Sequence, residues 1–219
     1  MQIAVLGTGN VGRTLGTALV NLGHSVTLGS RTSDNEAAST WATELALAPG
    51  TAEHATFQDA AADAELIINA TPGLVSLAVL ESVGPDLLAD AVLLDVANSL
   101  DFSAGLPPRL AYCNTESLAE RIQAAYPATS VVKSLSTVAA AIMVDPGQLP
   151  GDHLMFLAGN DVPAKETVAT LLRDLGWRTP QLFDLGDLTA ARGMEMYLPL
   201  WFRMYQTLGD GAFNITISR

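Results

Sequence analysis

Short apolar runs recur along the chain at residues 3–6, 26–28, 66–70, 92–96 and 131–135, and most of the gaps between them carry helical periodicity. Strand-length runs alternating with amphipathic helices predict a parallel sheet covered by helices. A weaker run at 55–57 would complete six strands, the number that two mononucleotide-binding halves require. In the first helical segment Val11, Leu15, Ala18, Leu19 and Leu22 form one apolar face, and Gly23 supplies a left-handed stop. Ser33 and Glu36 have capping-box spacing for a second helix, which the pattern carries toward Leu47 before Pro49 and Gly50 end it. A further helix is expected over 74–83.

Beyond residue 135 the pattern changes. A loop holding Pro146, Gly147, Pro150 and Gly151 leads to a strand over 153–158. A helix comes next, capped by Asp161 with Pro163 in its first turn and a buried stripe of Val168, Leu171, Leu172 and Leu175. A short strand at 182–184 precedes a long apolar helix over 187–208, which Gly193 and Pro199 are expected to interrupt. The alternation of Phe213, Ile215 and Ile217 suits a strand or an interface. The fold class expected is α/β: a Rossmann-type doubly wound parallel sheet over 1–135, with a small C-terminal α/β domain over 136–219.

Gly7-Thr8-Gly9-Asn10-Val11-Gly12 stands between the first strand and the first helix, the context that gives a G-x-G-x-x-G run its meaning. Gly7 permits the tight turn, Gly9 lets the backbone approach a pyrophosphate, and Gly12 lets helix pack on strand. The helix N-terminus then offers free N–H groups to phosphate. Sites that read an unmodified ribose usually end the second strand on an acidic residue. Here that place reads Gly29-Ser30-Arg31-Thr32. Arg31 can make charge-assisted bonds to a 2′-phosphate, with Ser30 and Thr32 as neutral donors, so NADP(H) is expected over NAD(H). Asp34 is read as a first-turn helix residue. Arg13 either helps the pyrophosphate or is simply exposed.

Thr71 and Pro72 end the fourth strand and Asn98 comes after the fifth, which puts them at the carboxyl edge of the sheet beside the nicotinamide half of a dinucleotide. Turn chemistry accounts for the same residues equally well. Ser136 and Thr137 come after the last strand of the first domain and are assigned to the electron acceptor, or else they cap a turn. Lys133, inside that strand, is read as structural. Met194, Met196, Trp201 and Phe202, at helical spacing in an apolar segment, are read as core or dimer interface rather than as an acceptor pocket. No catalytic acid–base residue is assigned, because no histidine, lysine and tyrosine fall into a dehydrogenase arrangement.

Charge narrows the partners. Eleven basic against twenty-three acidic residues give a net charge of −12, a field that repels nucleic acid and anionic membranes. An anionic dinucleotide must then be held by a few local donors, which raises the interest of Arg31. No apolar run has the length of a membrane span. Hydrophobic residues at 49% point to a subunit interface and hence a homodimer. One cysteine, Cys113, excludes an internal disulfide, and the chain enters its first strand without a leader, so a cytosolic location is expected. His24, His54 and His153 form no metal-ligand pattern and are read as loop or strand-edge residues, so no metal is expected.

With Gly7 to Gly12, Gly29-Ser30-Arg31, Val131-Val132-Lys133-Ser134-Leu135-Ser136-Thr137 and Asp184-Leu185-Gly186-Asp187-Leu188 in view, the chain resembles the coenzyme F420-dependent NADP oxidoreductase family, as a bacterial member, over nearly its whole length. The resemblance implies an N-terminal Rossmann domain, a small C-terminal domain that closes the acceptor site and builds a homodimer, and hydride transfer between NADPH and coenzyme F420. Archaeal members that reduce the deazaflavin carry a histidine where this chain has Ser136. That departure leaves a flavin, a ferric chelate or a small carbonyl or imine compound open as acceptor. The resemblance also reaches the ferric reductase domain of mammalian membrane proteins. Two further readings stand beside an oxidoreductase of this kind: a non-catalytic NADPH-binding redox sensor, and an imine or keto reductase, the latter weakened by the lack of a proton donor.

Overall fold

The computed structural model describes residues 1–218. Its elements run β1 (Gln2–Leu6), α1 (Asn10–Asn21), β2 (Ser25–Ser30), α2 (Glu36–Glu44), β3 (Thr51–Thr56), α3 (Phe57–Ala61), β4 (Leu66–Asn69), α4 (Ser76–Val83), α5 (Pro85–Leu88) and β5 (Val92–Asp95). Then come β6 (Leu100–Asp101), β7 (Arg109–Leu110), α6 (Leu118–Ala125), β8 (Ser130–Ser134), α7 (Ala140–Val144), β9 (Met155–Gly159), α8 (Val162–Asp174), β10 (Leu182–Asp184), α9 (Ala191–Met196) and α10 (Leu198–Leu208).

Eight strands form one sheet in the order β10-β9-β8-β5-β4-β1-β2-β3. The six from β3 to β8 are parallel in the order of two mononucleotide-binding halves, and the order reverses between β1 and β4. Both faces are covered, which is why these strands read as near-continuous apolar runs. Alternation along β1 shows the division: Ile3 and Val5 join the core beneath α1, α2 and α8, while Ala4 and Leu6 join the core beneath α3, α4 and α6. Register carries Leu6 opposite Gly29 and Asn69, Asn69 opposite Asp95, and Asp95 opposite Lys133. One row of residues thus crosses the carboxyl edge of the sheet.

The two strands expected in the C-terminal unit extend this sheet. β9 pairs antiparallel with β8, Val132 opposite Gly159, and β10 adds parallel to β9. Several boundaries differ from expectation for local reasons. The third strand spans Thr51–Thr56, and Phe57 opens α3 because the Thr56 hydroxyl caps the Asp59 N–H. α2 is capped by Asn35, whose side chain accepts from the Ala38 N–H, so Ser33 and Asp34 lie outside the helix. It also ends at Glu44, short of Leu47. The long C-terminal helix breaks at Tyr197, with Pro199 in the first turn of α10, while Gly193 stays inside α9. The short β6–β7 hairpin and α6 were not foreseen. Phe213, Ile215 and Ile217 form no strand; the Ile215 carbonyl takes one bond from the Leu154 N–H. No helix among the described residues is long and apolar enough to cross a membrane.

Candidate active site

At the switch between β1 and β4 a cavity of about 1010 Å³ opens along the carboxyl edge of the sheet. Ligand sites run from roughly 300 to 1,000 Å³, so there is room for a dinucleotide and part of a second molecule. Gly7, Thr8, Gly9, Asn10, Val11, Ser30, Arg31, Thr71, Pro72, Asn98, Ser136 and Thr137 all line it. Gly12 and Thr32 do not. Gly12 faces inward, where a Cβ would fall 2.0 Å from the Gly7 carbonyl oxygen, so its part is to let α1 close on β1. Thr32 is exposed, and its carbonyl accepts from the Ser30 hydroxyl at 2.6 Å.

The glycine loop leaves α1 ready for an anion. Gly9 is its N-cap with no side chain to satisfy the first N–H groups, and no acidic residue stands in the first turn. Gly7 holds φ +118°, a conformation side chains rarely adopt, and a Cβ there would meet the Ala70 carbonyl at 2.8 Å. Arg31 is exposed at the cavity rim, and it forms no salt bridge among the described residues. Its guanidinium remains for an anionic ligand. Among the described residues it is the one charged side chain in the cavity lining.

At the other end the loops after β4, β5 and β8 converge. The Gly73 N–H bonds the Asn98 carbonyl at 3.2 Å, and a Cβ on Gly73 would lie 2.3 Å from that oxygen, so these two loops can meet only through glycine. The Asn98 amide donates to the Ser136 carbonyl at 2.8 Å. Leu135, fully buried, takes φ +61° to turn the chain out of β8, a costly conformation for a leucine that delivers Ser136 and Thr137 to the cavity. The hydroxyls of Ser136 and Thr137 and the amide oxygen of Asn98 are buried without any hydrogen-bond partner. Such groups are rare in folded proteins, and here three belong to neighbouring residues that line one cavity, as does a fourth, the buried indole N–H of Trp201.

The opposite wall comes from α10. Leu198, Trp201 and Phe202 line the cavity with Val138 and Met143, which corrects the assignment of Trp201 and Phe202 to core or interface. Trp201 stacks on Tyr205 and stands edge-on to Phe202. Met194 is buried, and Met196 is half-exposed with its sulfur accepting from the Asn114 N–H. Helical spacing identifies a shared face without saying whether that face meets core or cavity. His153 lies in the loop before β9, in keeping with its reading as a loop or strand-edge residue, and is buried there between Pro146 and Asn214 and edge-on to Trp177. Lys133 is wholly buried beneath the site with Asp95 and Glu195 around its ammonium.

The chain is similar to known proteins in sequence and fold. Residues 2–99 match the family described as NADP oxidoreductase, coenzyme F420-dependent. The chain is similar to a protein of Arthrobacter sp. FB24, assigned as an F420-dependent NADP reductase, whose crystal structure superposes with a TM-score of 0.92 at 49% identity over 100% of both chains. It is 31% identical over 209 residues to Metalloreductase STEAP3 of Rattus norvegicus, covering 91% of this chain and 38% of that one. The chain thus spans about two-fifths of that relative. A reductive aminase from Aspergillus terreus in complex with NADPH shares the fold at 19% identity, with a TM-score of 0.65 over 95% of this chain and 62% of the aminase.

Proposed function

Because the chain belongs to the coenzyme F420-dependent NADP oxidoreductase family, we propose that this NADP-dependent oxidoreductase moves a hydride between NADPH and a deazaflavin of the coenzyme F420 type. The observation that carries the reading is the cavity lining: one cation at one end, four residues with orphaned polar groups and an aromatic wall at the other, and, among the described residues, no acid or base between. Arg31 takes the 2′-phosphate, and the first-turn N–H groups of α1 take the pyrophosphate. Thr71 and Pro72 border the nicotinamide, and Asn98 supplies a carbonyl suited to the carboxamide. Ser136 and Thr137 border the acceptor, and Trp201 and Phe202, set edge-on to each other, give it an aromatic wall.

When bound, the reduced nicotinamide supplies a hydride to a ring carbon of the deazaflavin, which takes its proton from solvent. Alignment alone supplies most of the rate for such a step. Reduction of a carbonyl or imine asks for a positioned proton donor, and the described residues of the lining offer no carboxyl, imidazole, ammonium or phenol. The nearby phenol of Tyr197 stands outside it, and burial pushes that hydroxyl up to about 12. The exposed free thiol of Cys113 suits a reducing compartment such as the cytosol.

The test places deuterium on one face of nicotinamide carbon 4 and offers the protein the deazaflavin, a free flavin and a ferric chelate. Stereospecific transfer of the label to the deazaflavin is expected, without solvent deuterium entering the nicotinamide. Turnover with flavin or iron but not with the deazaflavin overturns the acceptor. NADPH binding without oxidation by any of the three leaves the sensor reading.

A further inference from the structure

Three apolar strands each set one polar side chain in the same row of the sheet. Asn69 on β4 stands in register with Asp95 on β5, and Asp95 with Lys133 on β8. All three are fully buried. The Lys133 ammonium lies 2.8 Å from Asp95 Oδ2 and 3.1 Å from Oε1 of Glu195, which reaches down from α9. It also donates to the Ala97 carbonyl. Asp95 Oδ1 accepts from the Asn69 amide at 2.8 Å and from the Ala97 N–H at 3.2 Å, so Ala97 is gripped on both sides of its backbone. Asn69 Oδ1 accepts from the Thr71 hydroxyl at 2.7 Å.

Stability is a poor account of this arrangement, since well-packed apolar side chains usually serve a core as well as a buried ion pair. What the ions reach is more informative. Thr71 and Ala97 line the cavity, and Asn98 comes directly after Ala97. Glu195 accepts from the N–H groups of Leu118 and Ala119, which ties α9 to α6, and α9 runs straight into the segment bearing Leu198, Trp201 and Phe202. The two walls of the cavity are thus joined beneath its floor through one ammonium.

We propose that Lys133, with Asp95 and Glu195, acts as a positioning group that sets the loops after β4 and β5 against the C-terminal helix, and so fixes the nicotinamide relative to the acceptor wall. The inference rests on the assignment of the cavity to a dinucleotide. Burial disfavours the ammonium, but the two carboxylates outweigh it and hold Lys133 above the usual lysine value. A lysine held charged and out of the cavity takes no direct part in chemistry; it acts through Ala97, Asp95 and Glu195.

The test compares Glu195→Gln, which keeps shape and an acceptor for α6, with Arg192→Met, which breaks only the neighbouring Arg192–Glu120 contact between α9 and α6. Titration of NADPH, monitored by the fluorescence lifetime of its bound nicotinamide, reads the positioning without any acceptor. Glu195→Gln is expected to keep NADPH affinity within about twofold while changing the nicotinamide lifetime, and, in a separate assay with the deazaflavin as acceptor, to slow single-turnover oxidation of NADPH about tenfold or more. Arg192→Met is expected to leave lifetime and rate as in the parent protein. Asn69→Ala cuts the same chain at its other end and should shift the lifetime likewise, so a folding failure of one variant leaves the other decisive. An unchanged lifetime in the folded variants, or an equal effect of Arg192→Met, overturns the proposal. A parent protein that binds no NADPH overturns the dinucleotide assignment instead.

Discussion

Arg31 and Ser136 test the two ends of the cavity separately. Arg31→Ala is expected to weaken NADPH binding roughly tenfold to a hundredfold, the scale of a hydrogen bond to a charged group, and to leave NADH binding nearly unchanged. Parallel titrations of the two nucleotides check this, and equal losses would mean that Arg31 does not read the 2′-phosphate. For Ser136→Ala the signs for stability and function are opposite. Its hydroxyl is buried without a partner, and leaving such a group unsatisfied costs about 1–3 kcal/mol, so its removal should hold or raise the melting temperature. The acceptor KM should rise while NADPH affinity stays level. A melting temperature that falls with both affinities would make Ser136 a structural residue only. That both residues line the cavity was legible in the sequence because the carboxyl ends of β2 and β8 open onto it, although Thr32 and Leu135 beside them do not line it. Trp201 and Phe202 were not legible in this way, since only the break at Tyr197 turns α10 so that they line the cavity. Lys133 was read as structural, but its partners Asn69 and Asp95 left a signal that went unread, a polar residue at or near the end of each of three apolar runs.

At the scale of elements, α9 is held on α6 by the paired Arg192 and Glu120 side chains. Hydrogen bonds from Arg192 hold the Glu120 carboxyl below the usual glutamate value. A carboxylate depressed on folding contributes stability that is present above its unfolded pKa and lost as pH falls through the folded one. Arg192→Met should therefore lower the urea midpoint at neutral pH, with the gap to the parent closing below about pH 4. A gap that persists in acid would assign the loss to packing of the arginine stem instead. The helices and strands of the first half were readable because each buries one stripe or one run against a two-sided sheet. Boundaries were less so, since Asn35 and Thr56 act through side-chain caps that compete locally with Ser33 and with the strand pattern. The β6–β7 hairpin is two residues per strand, too short for any periodicity to register.

At the scale of the whole molecule, Leu198 is the one buried residue of α10, which leaves Leu200, Tyr205 and Leu208 exposed. Phe102, T-stacked on Phe202, and Leu106 of the β6–β7 hairpin are also exposed. Apolar surface on this scale is a mark of an interface, and we propose that a second copy of the chain covers it. Because the same helix presents Trp201 and Phe202 to the cavity, a partner packed on its outer side would hold the acceptor wall in place. The double variant Leu200→Glu and Leu208→Glu separates the consequences. Light scattering should read a dimer for the parent protein and a monomer for the variant, since like charges buried across a two-fold interface repel strongly. NADPH affinity should be unaffected, as Arg31 and the glycine loop lie at the carboxyl ends of β2 and β1, at the other end of the cavity from the acceptor wall. Acceptor KM should rise in the variant as the helix loosens. A parent protein that stays monomeric at high micromolar concentration would sink the assembly, and a dimer whose disruption leaves the acceptor KM unchanged would show that α10 holds the wall unaided.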